Sequence, residues 1–253
     1  MGSLLRKYWF LTLISLLFFA SASLAQTATM TLTGVGDGAN AGGVYVDPYN
    51  ASIISGSYST STYVVCDDWT DETSLGETWK ANVNTIASVD AGTNATTPIF
   101  GNSPQLYNEA AWLSTQLLAL PIANPTTASE NQQIEISYAL WELTCSTGIK
   151  SCANQPFATL GGSSSSGDLA AAQTYLCEAM GGCQGYQGMA NFDASGWEIL
   201  TPTNGGPPQE FLVKAPVPIT APESSSGVLL SADLLGLLGL VFLFRRRLFR
   251  PIQ

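Results

Sequence analysis

The sequence predicts an α+β fold: a mainly antiparallel sheet formed by N- and C-terminal strands of one domain, a three-helix insertion between them, and one C-terminal transmembrane helix. Three observations carry this. Short alternating segments rich in Thr, Ser, Val and Tyr fill residues 27–66, and similar ones return at 196–213. Between them lie three stretches where leucine and alanine recur at three- and four-residue steps behind helix-capping residues. Near the end, Val228 to Phe244 is almost wholly apolar and runs straight into Arg245, Arg246 and Arg247.

The strands come first. Thr29-Met30-Thr31-Leu32-Thr33 and Tyr63-Val64-Val65 alternate as half-buried strands do, and Gly and Asp-Pro signals punctuate the chain between them. Tyr45-Val46, Ser52-Ile53-Ile54 and Tyr58 to Val65 fit consecutive hairpins. At the other end, Trp197 to Thr201 and Gln209 to Val213 flank Asn204-Gly205-Gly206, which predicts a hairpin returning to the same sheet.

The helices follow from spacing and caps. Ser103-Pro104 supplies an N-cap and a first-turn proline, after which Leu106, Ala110, Leu113 and Leu117 line one face until Pro121 stops the run. Ser129 with Gln132 fits a capping box for a helix through about Leu143 that buries Ile136, Ala139 and Leu140. A third helix is expected from Asp168 to Met180, ending at Gly181-Gly182.

The two ends are hydrophobic for different reasons. Arg6 and Lys7, the apolar run Tyr8 to Ala20 and the small residues closing on Ala25 make a secretory signal, with cleavage expected before Gln26. Residues 1–25 are thus assigned to signal peptidase, 26–214 to an extracellular domain and 215–227 to a Pro/Ser linker. Residues 228–244 make the membrane helix and 245–253 a basic cytoplasmic tail. Seventeen residues at about 1.5 Å rise just cross a hydrocarbon core, and the arginines fix the tail inside.

Charge and cysteine usage narrow the partners. The chain has 253 residues and a net charge of −10, and between Gln26 and Thr220 only Lys80, Lys150 and Lys214 are basic. Such a surface repels nucleic acid. The absence of histidine removes Ser-His and Cys-His catalysis and histidine-ligated metals. Exported thiols pair, and spacing suggests Cys145 with Cys152 and Cys177 with Cys183, leaving Cys66 as an unpaired or core thiol; a Cys66 to Cys145 bridge is equally legal by count.

The densest polar feature is Cys66-Asp67-Asp68-Trp69-Thr70-Asp71-Glu72, followed by Gly76-Glu77-Thr78-Trp79. Asp67, Asp68, Asp71, Glu72 and Glu77 could hold calcium, whose ligands are hard oxygens, or form a solvated acidic turn with Trp69 and Trp79 in the core. No other cofactor is expected. Carboxylate pairs could also serve glycoside hydrolysis, and Trp112 or Tyr186 a sugar-binding face.

Two resemblances rest on particular residues. Pro222-Glu223-Ser224, the single span and the cluster Arg245, Arg246, Arg247 resemble a PEP-CTERM sorting signal, with Ser224 where that family usually has a second proline. The resemblance implies recognition by an exosortase-type membrane protease of Gram-negative bacteria, then release to the cell surface or extracellular matrix. Tyr63-Val64-Val65-Cys66-Asp67, Gly76-Glu77-Thr78-Trp79 and Tyr138-Ala139-Leu140-Trp141-Glu142 resemble the layout of thioester domains in bacterial surface adhesins. There the family joins a strand cysteine to a helix glutamine four residues before the tryptophan. Here that position is Ser137, which has no carbonyl to acylate a thiol.

The expected function is an exported surface or matrix protein acting as a non-enzymatic structural or adhesive module. The alternative is an extracellular carbohydrate-binding or carbohydrate-active protein that uses its acidic and aromatic residues on polysaccharide.

Overall fold

The computed structural model describes residues 26–90, 92, 97–146, 152, 155–162, 168–182, 189, 192–204 and 207–214. The signal segment, the linker, the expected span Val228–Phe244 and the basic tail lie outside them. Strands β1 (Gln26–Val35), β2 (Asn40–Ala41), β3 (Val44–Tyr45), β4 (Tyr49–Ser55), β5 (Tyr58–Cys66) and β6 (Thr78–Thr85) come first. Five helices follow: α1 (Ile86–Asp90), α2 (Pro104–Leu118), α3 (Thr127–Ser146), α4 (Pro156–Gly162) and α5 (Leu169–Ala179). Strands β7 (Trp197–Pro202) and β8 (Phe211–Lys214) complete the order.

Six strands close into an antiparallel barrel in the order β1-β4-β5-β8-β7-β6, while β2 and β3 form a separate small hairpin. This corrects the expected fold of the domain, a mainly antiparallel sheet with a three-helix insertion, while the expected membrane helix lies outside the described residues. The closing strand is β6, whose residues pair with β1 (Met30 opposite Trp79) on one side and with β7 (Val83 opposite Leu200) on the other. Five helices rather than three lie among the described residues, and none of these is long and apolar enough to cross a membrane.

Side-chain alternation explains the closure. Ala28, Met30, Leu32, Ala51, Ile53, Val64, Ala81, Val83, Leu200, Phe211 and Val213 form one buried cluster filling the barrel. The residues between them, Thr27, Thr29, Thr31 and Thr33 on β1, point outward, with the Thr31 and Thr78 hydroxyls 2.8 Å apart. On the other side the barrel wall is covered. Val65, Trp197, Ile199 and Leu212 join Tyr107, Leu113, Leu117, Ile136, Leu140 and Leu143 of the helices in a second core, so β7 is buried on both faces.

The helix caps are local and specific. Ser103 accepts from Leu106 N at 3.4 Å and Asp168 from Ala170 N at 2.8 Å. For α3 the reciprocal bonds run between Thr126 and Ser129, with Thr126 N donating to Ser129 Oγ at 2.7 Å and Ser129 N to Thr126 Oγ1 at 3.2 Å. The cap thus sits three residues earlier than Ser129 with Gln132 suggested.

Candidate functional site: a cleft with a buried acid pair behind its floor

A cleft of about 580 Å³ opens between the β2–β3 hairpin and the loop that follows β5. One wall is the hairpin. Gly42 and Gly43 turn it at φ of 61° and 87°, as a two-residue hairpin requires, and a Cβ on Gly42 would stand 2.6 Å from the Tyr138 hydroxyl. That hydroxyl donates to the Ala41 carbonyl at 3.1 Å and so holds the hairpin on α3. Tyr45, 40 % exposed, projects at the rim.

The opposite wall is the acidic loop. Asp68 accepts from Thr70 N at 2.9 Å and from Thr70 Oγ1 at 2.8 Å, which turns the chain sharply after the strand. Glu77 closes the far end of the loop by accepting from Ser74 N at 2.9 Å. Half-buried Trp69 stacks obliquely on Trp141, centroids 5.2 Å apart, and Tyr138 supports both at 5.8 and 5.3 Å. Asp71 and Glu72 line the cleft beyond Trp69.

The floor is pinned from α3. Successive turns of that helix donate to three backbone carbonyls: Ser137 Oγ to Val46 at 2.6 Å, Trp141 Nε1 to Cys66 at 3.0 Å and Thr144 Oγ1 to Asp67 at 2.6 Å. Gln209 ties the connection before β8 to the same loop, its Nε2 donating to the Asp68 carbonyl at 2.8 Å and its backbone N–H to Thr73 Oγ1 at 2.8 Å.

Behind this floor lie two carboxyls with almost no solvent contact, Asp67 at 0 % and Glu210 at 2 % exposure. Glu210 accepts from the Tyr107 hydroxyl at 2.6 Å, from Thr201 Oγ1 at 2.6 Å and from Ile99 N at 3.1 Å. Neither oxygen of Asp67 meets an N–H or hydroxyl donor, and the neighbouring side chain is the Glu210 carboxyl. Burial pushes Glu210 up to about 7, against the pull of its three donors. Burial raises Asp67 well above the usual carboxylate range, and the charges of Glu210 and Asp68 add to it.

Comparison with protein-family models, curated proteins and solved structures gave no match. The fold and the site therefore stand on their own geometry.

The residues singled out from the sequence separate here. Asp71 and Glu72 face the cleft, Asp68 turns onto Thr70, Glu77 caps its loop, and Asp67 faces inward. The five acids are not brought together, and among the described residues no group of three or more His, Cys, Asp or Glu is placed to hold a metal. Trp112 lies in the helical core at 7 % exposure. Cys66 is buried and free, its thiol donating to the Asp68 carbonyl at 3.2 Å, while Ser137 is engaged with Val46.

Cys145 pairs with Cys152, which lines the cleft. Cys177 is also disulfide-bonded, and its expected partner Cys183 lies outside the described residues. So do Tyr186, Pro222, Glu223, Ser224, Arg245, Arg246 and Arg247. Sequence reasoning missed Tyr45, Gln209, Glu210, Tyr107 and Thr201. Their only common signal is spatial, since Tyr107 and Glu210 are 103 residues apart and meet through closure of the barrel.

Proposed function

We propose that this chain is an exported, non-enzymatic adhesive module of a bacterial surface or matrix, and that its domain holds polysaccharide in the cleft. The observation that carries this is Trp69, half-buried at the cleft surface, braced by Trp141 and Tyr138 and flanked by Asp71 and Glu72. Rigid aromatic faces stack on the C–H faces of sugar rings, and carboxylates beside them accept from sugar hydroxyls. Asp67 and Glu210, the buried acid pair nearest the cleft floor, lie behind it out of a ligand's reach, which favours binding over hydrolysis. Delivery rests on the tail: signal peptidase would free the domain at Gln26, and an exosortase-like protease would act at Pro222-Glu223 of the membrane intermediate.

The test is a polysaccharide array probed with the exported protein, followed by a reducing-end assay on whatever it retains. Retention without new reducing ends, lost in Trp69→Ala, is the expected result. Hydrolysis abolished by Asp71→Asn or Glu72→Gln would replace this reading with a carbohydrate-active enzyme.

A further inference from the structure

Beyond the Cys66–Phe211 pair of the antiparallel β5–β8 ladder, Asp67-Asp68 and Gln209-Glu210 continue side by side, with Gln209 Nε2 donating to the Asp68 carbonyl at 2.8 Å. Asp68 and Gln209 line the cleft, whereas Asp67 and Glu210 turn away from it into the interior. The titratable groups facing the inward pair are Asp68 and Cys66 from its own segment and Tyr107 from α2; β7 brings the neutral Thr201 and α3 the neutral Thr144. Lys80 and Lys214 are the basic residues among those described, and both are exposed. No cation among the described residues therefore compensates the two carboxyls.

A pair of adjacent buried acids without a counter-ion keeps a proton, because like charges removed from water repel strongly and lose their hydration. The surroundings also show which side can yield when that proton leaves. Asp67 and Cys66 are held through their carbonyls by Thr144 and Trp141. The Glu210 carboxyl is held by Tyr107, Thr201 and Ile99, whereas the Asp67 carboxyl meets no N–H or hydroxyl donor, so the Asp67 side chain is the one that turns. Asp67 leads directly into Asp68, whose carbonyl accepts from Gln209 and whose side chain turns the chain at Thr70, so its movement pulls on the segment that carries Trp69, Asp71 and Glu72.

We propose that Asp67 and Glu210 form a proton-operated latch on the cleft. With one proton on the pair the floor is closed and Trp69 is braced on Trp141. Loss of that proton to solvent leaves two carboxylates, turns the Asp67 side chain away from the anchored Glu210 and, through Asp68, shifts the loop of residues 68–74. The latch rests on the cleft reading only for its consequence for ligand; the movement itself belongs to the chain. A buried acid pair biasing a loop is a local charge event with a conformational readout.

The experiment uses the exported protein without ligand, scanned from about pH 5 to about pH 9. Infrared difference spectra should show a protonated, desolvated carboxyl band that disappears as pH rises. Tryptophan fluorescence should step with the same midpoint, and the step should vanish in Trp69→Phe. Asp67→Asn keeps the side-chain shape, removes one charge, and should remove the pair's share of the carboxyl band, leaving that of Asp47 and Glu198, together with the whole fluorescence step; Glu210→Gln provides the same test should that variant fold poorly. A carboxyl band that neither variant diminishes, or a fluorescence step that survives in both, would overturn the latch. A step in a protein that retains no polysaccharide supports the latch and counts against the cleft reading. Retention that is equal at both ends of the pH range, with no fluorescence step, does the reverse. Where both hold, retention should weaken about tenfold across the midpoint.

Discussion

Replacing Thr144 by valine isolates the bond that fixes the cleft floor to α3. The threonine hydroxyl donates to the Asp67 carbonyl at 2.6 Å, and Thr144 and Asp67 are both 0 % exposed. Valine keeps the branched shape but has no hydroxyl, so the carbonyl loses this donor where water cannot replace it. Leaving a buried acceptor short of a partner costs about 1–3 kcal/mol. With a urea m-value of about 2 kcal/mol/M, the midpoint should fall by about 0.5–1.5 M at unchanged slope.

Thr115→Val is the matched control. Its hydroxyl also donates at 2.9 Å, but to the Ala111 carbonyl of its own helix from a half-buried position, so a cost below about 0.5 kcal/mol is expected. Equal midpoints for the two variants would refute the claim that α3 pins the floor through side-chain donors.

Other expectations follow from single features. Glu210 has its folded pKa raised from 4.5 to about 7, so between those values the folded state holds a proton that the unfolded chain has lost. Its contribution is therefore present at low pH and declines as pH rises through that window, by at most about 1.4 kcal/mol per pH unit, roughly 3 kcal/mol in all. Asp47 and Glu198, also pushed up to about 7 chiefly by burial, act in the same direction, and melting curves at several pH values should show the highest stability on the acid side. A melting temperature that climbs from pH 5 to pH 8 would contradict this. Cys145→Ser opens a loop of sequence separation 7 and should cost about 2.5 kcal/mol in denaturant titration; no change would mean that the bridge constrains nothing in the unfolded chain. Cys66, buried and with its thiol raised well above the ordinary range by burial and by Asp68 and Asp67, should resist alkylation until the domain unfolds, so rapid labelling of the native protein would contradict its placement.

What the sequence revealed depended on whether the determinant was local. The starts of α2 and α5 were legible because Ser103-Pro104 and Asp168 act within one helical turn. The start of α3 was displaced because two overlapping patterns compete there, and the Thr126–Ser129 exchange wins over Ser129 with Gln132. Strand β6 was hidden by its small and polar members. Ala81 and Val83 fill the barrel while Asn82 and Asn84 are buried on its other face, a pattern without the bulky alternation that marks a strand.

The same limit applies to the site. Residues 67–72 stood out as an acidic cluster, yet chain alternation turns Asp67 inward and leaves Asp71 and Glu72 at the cleft. No one-dimensional signal couples Asp67 to Glu210 or Trp69 to Tyr45. Those proximities are products of barrel closure and of the hairpin docking on α3.

Amide hydrogen exchange tests the cleft as the binding surface most directly. The exported protein, with and without the polysaccharide it retains best on the array, would be followed segment by segment. The account predicts added protection at residues 43–45 and 68–74, removed by Trp69→Ala. Protection confined to the outward face of β1 and β4, with 68–74 unchanged, would contradict it.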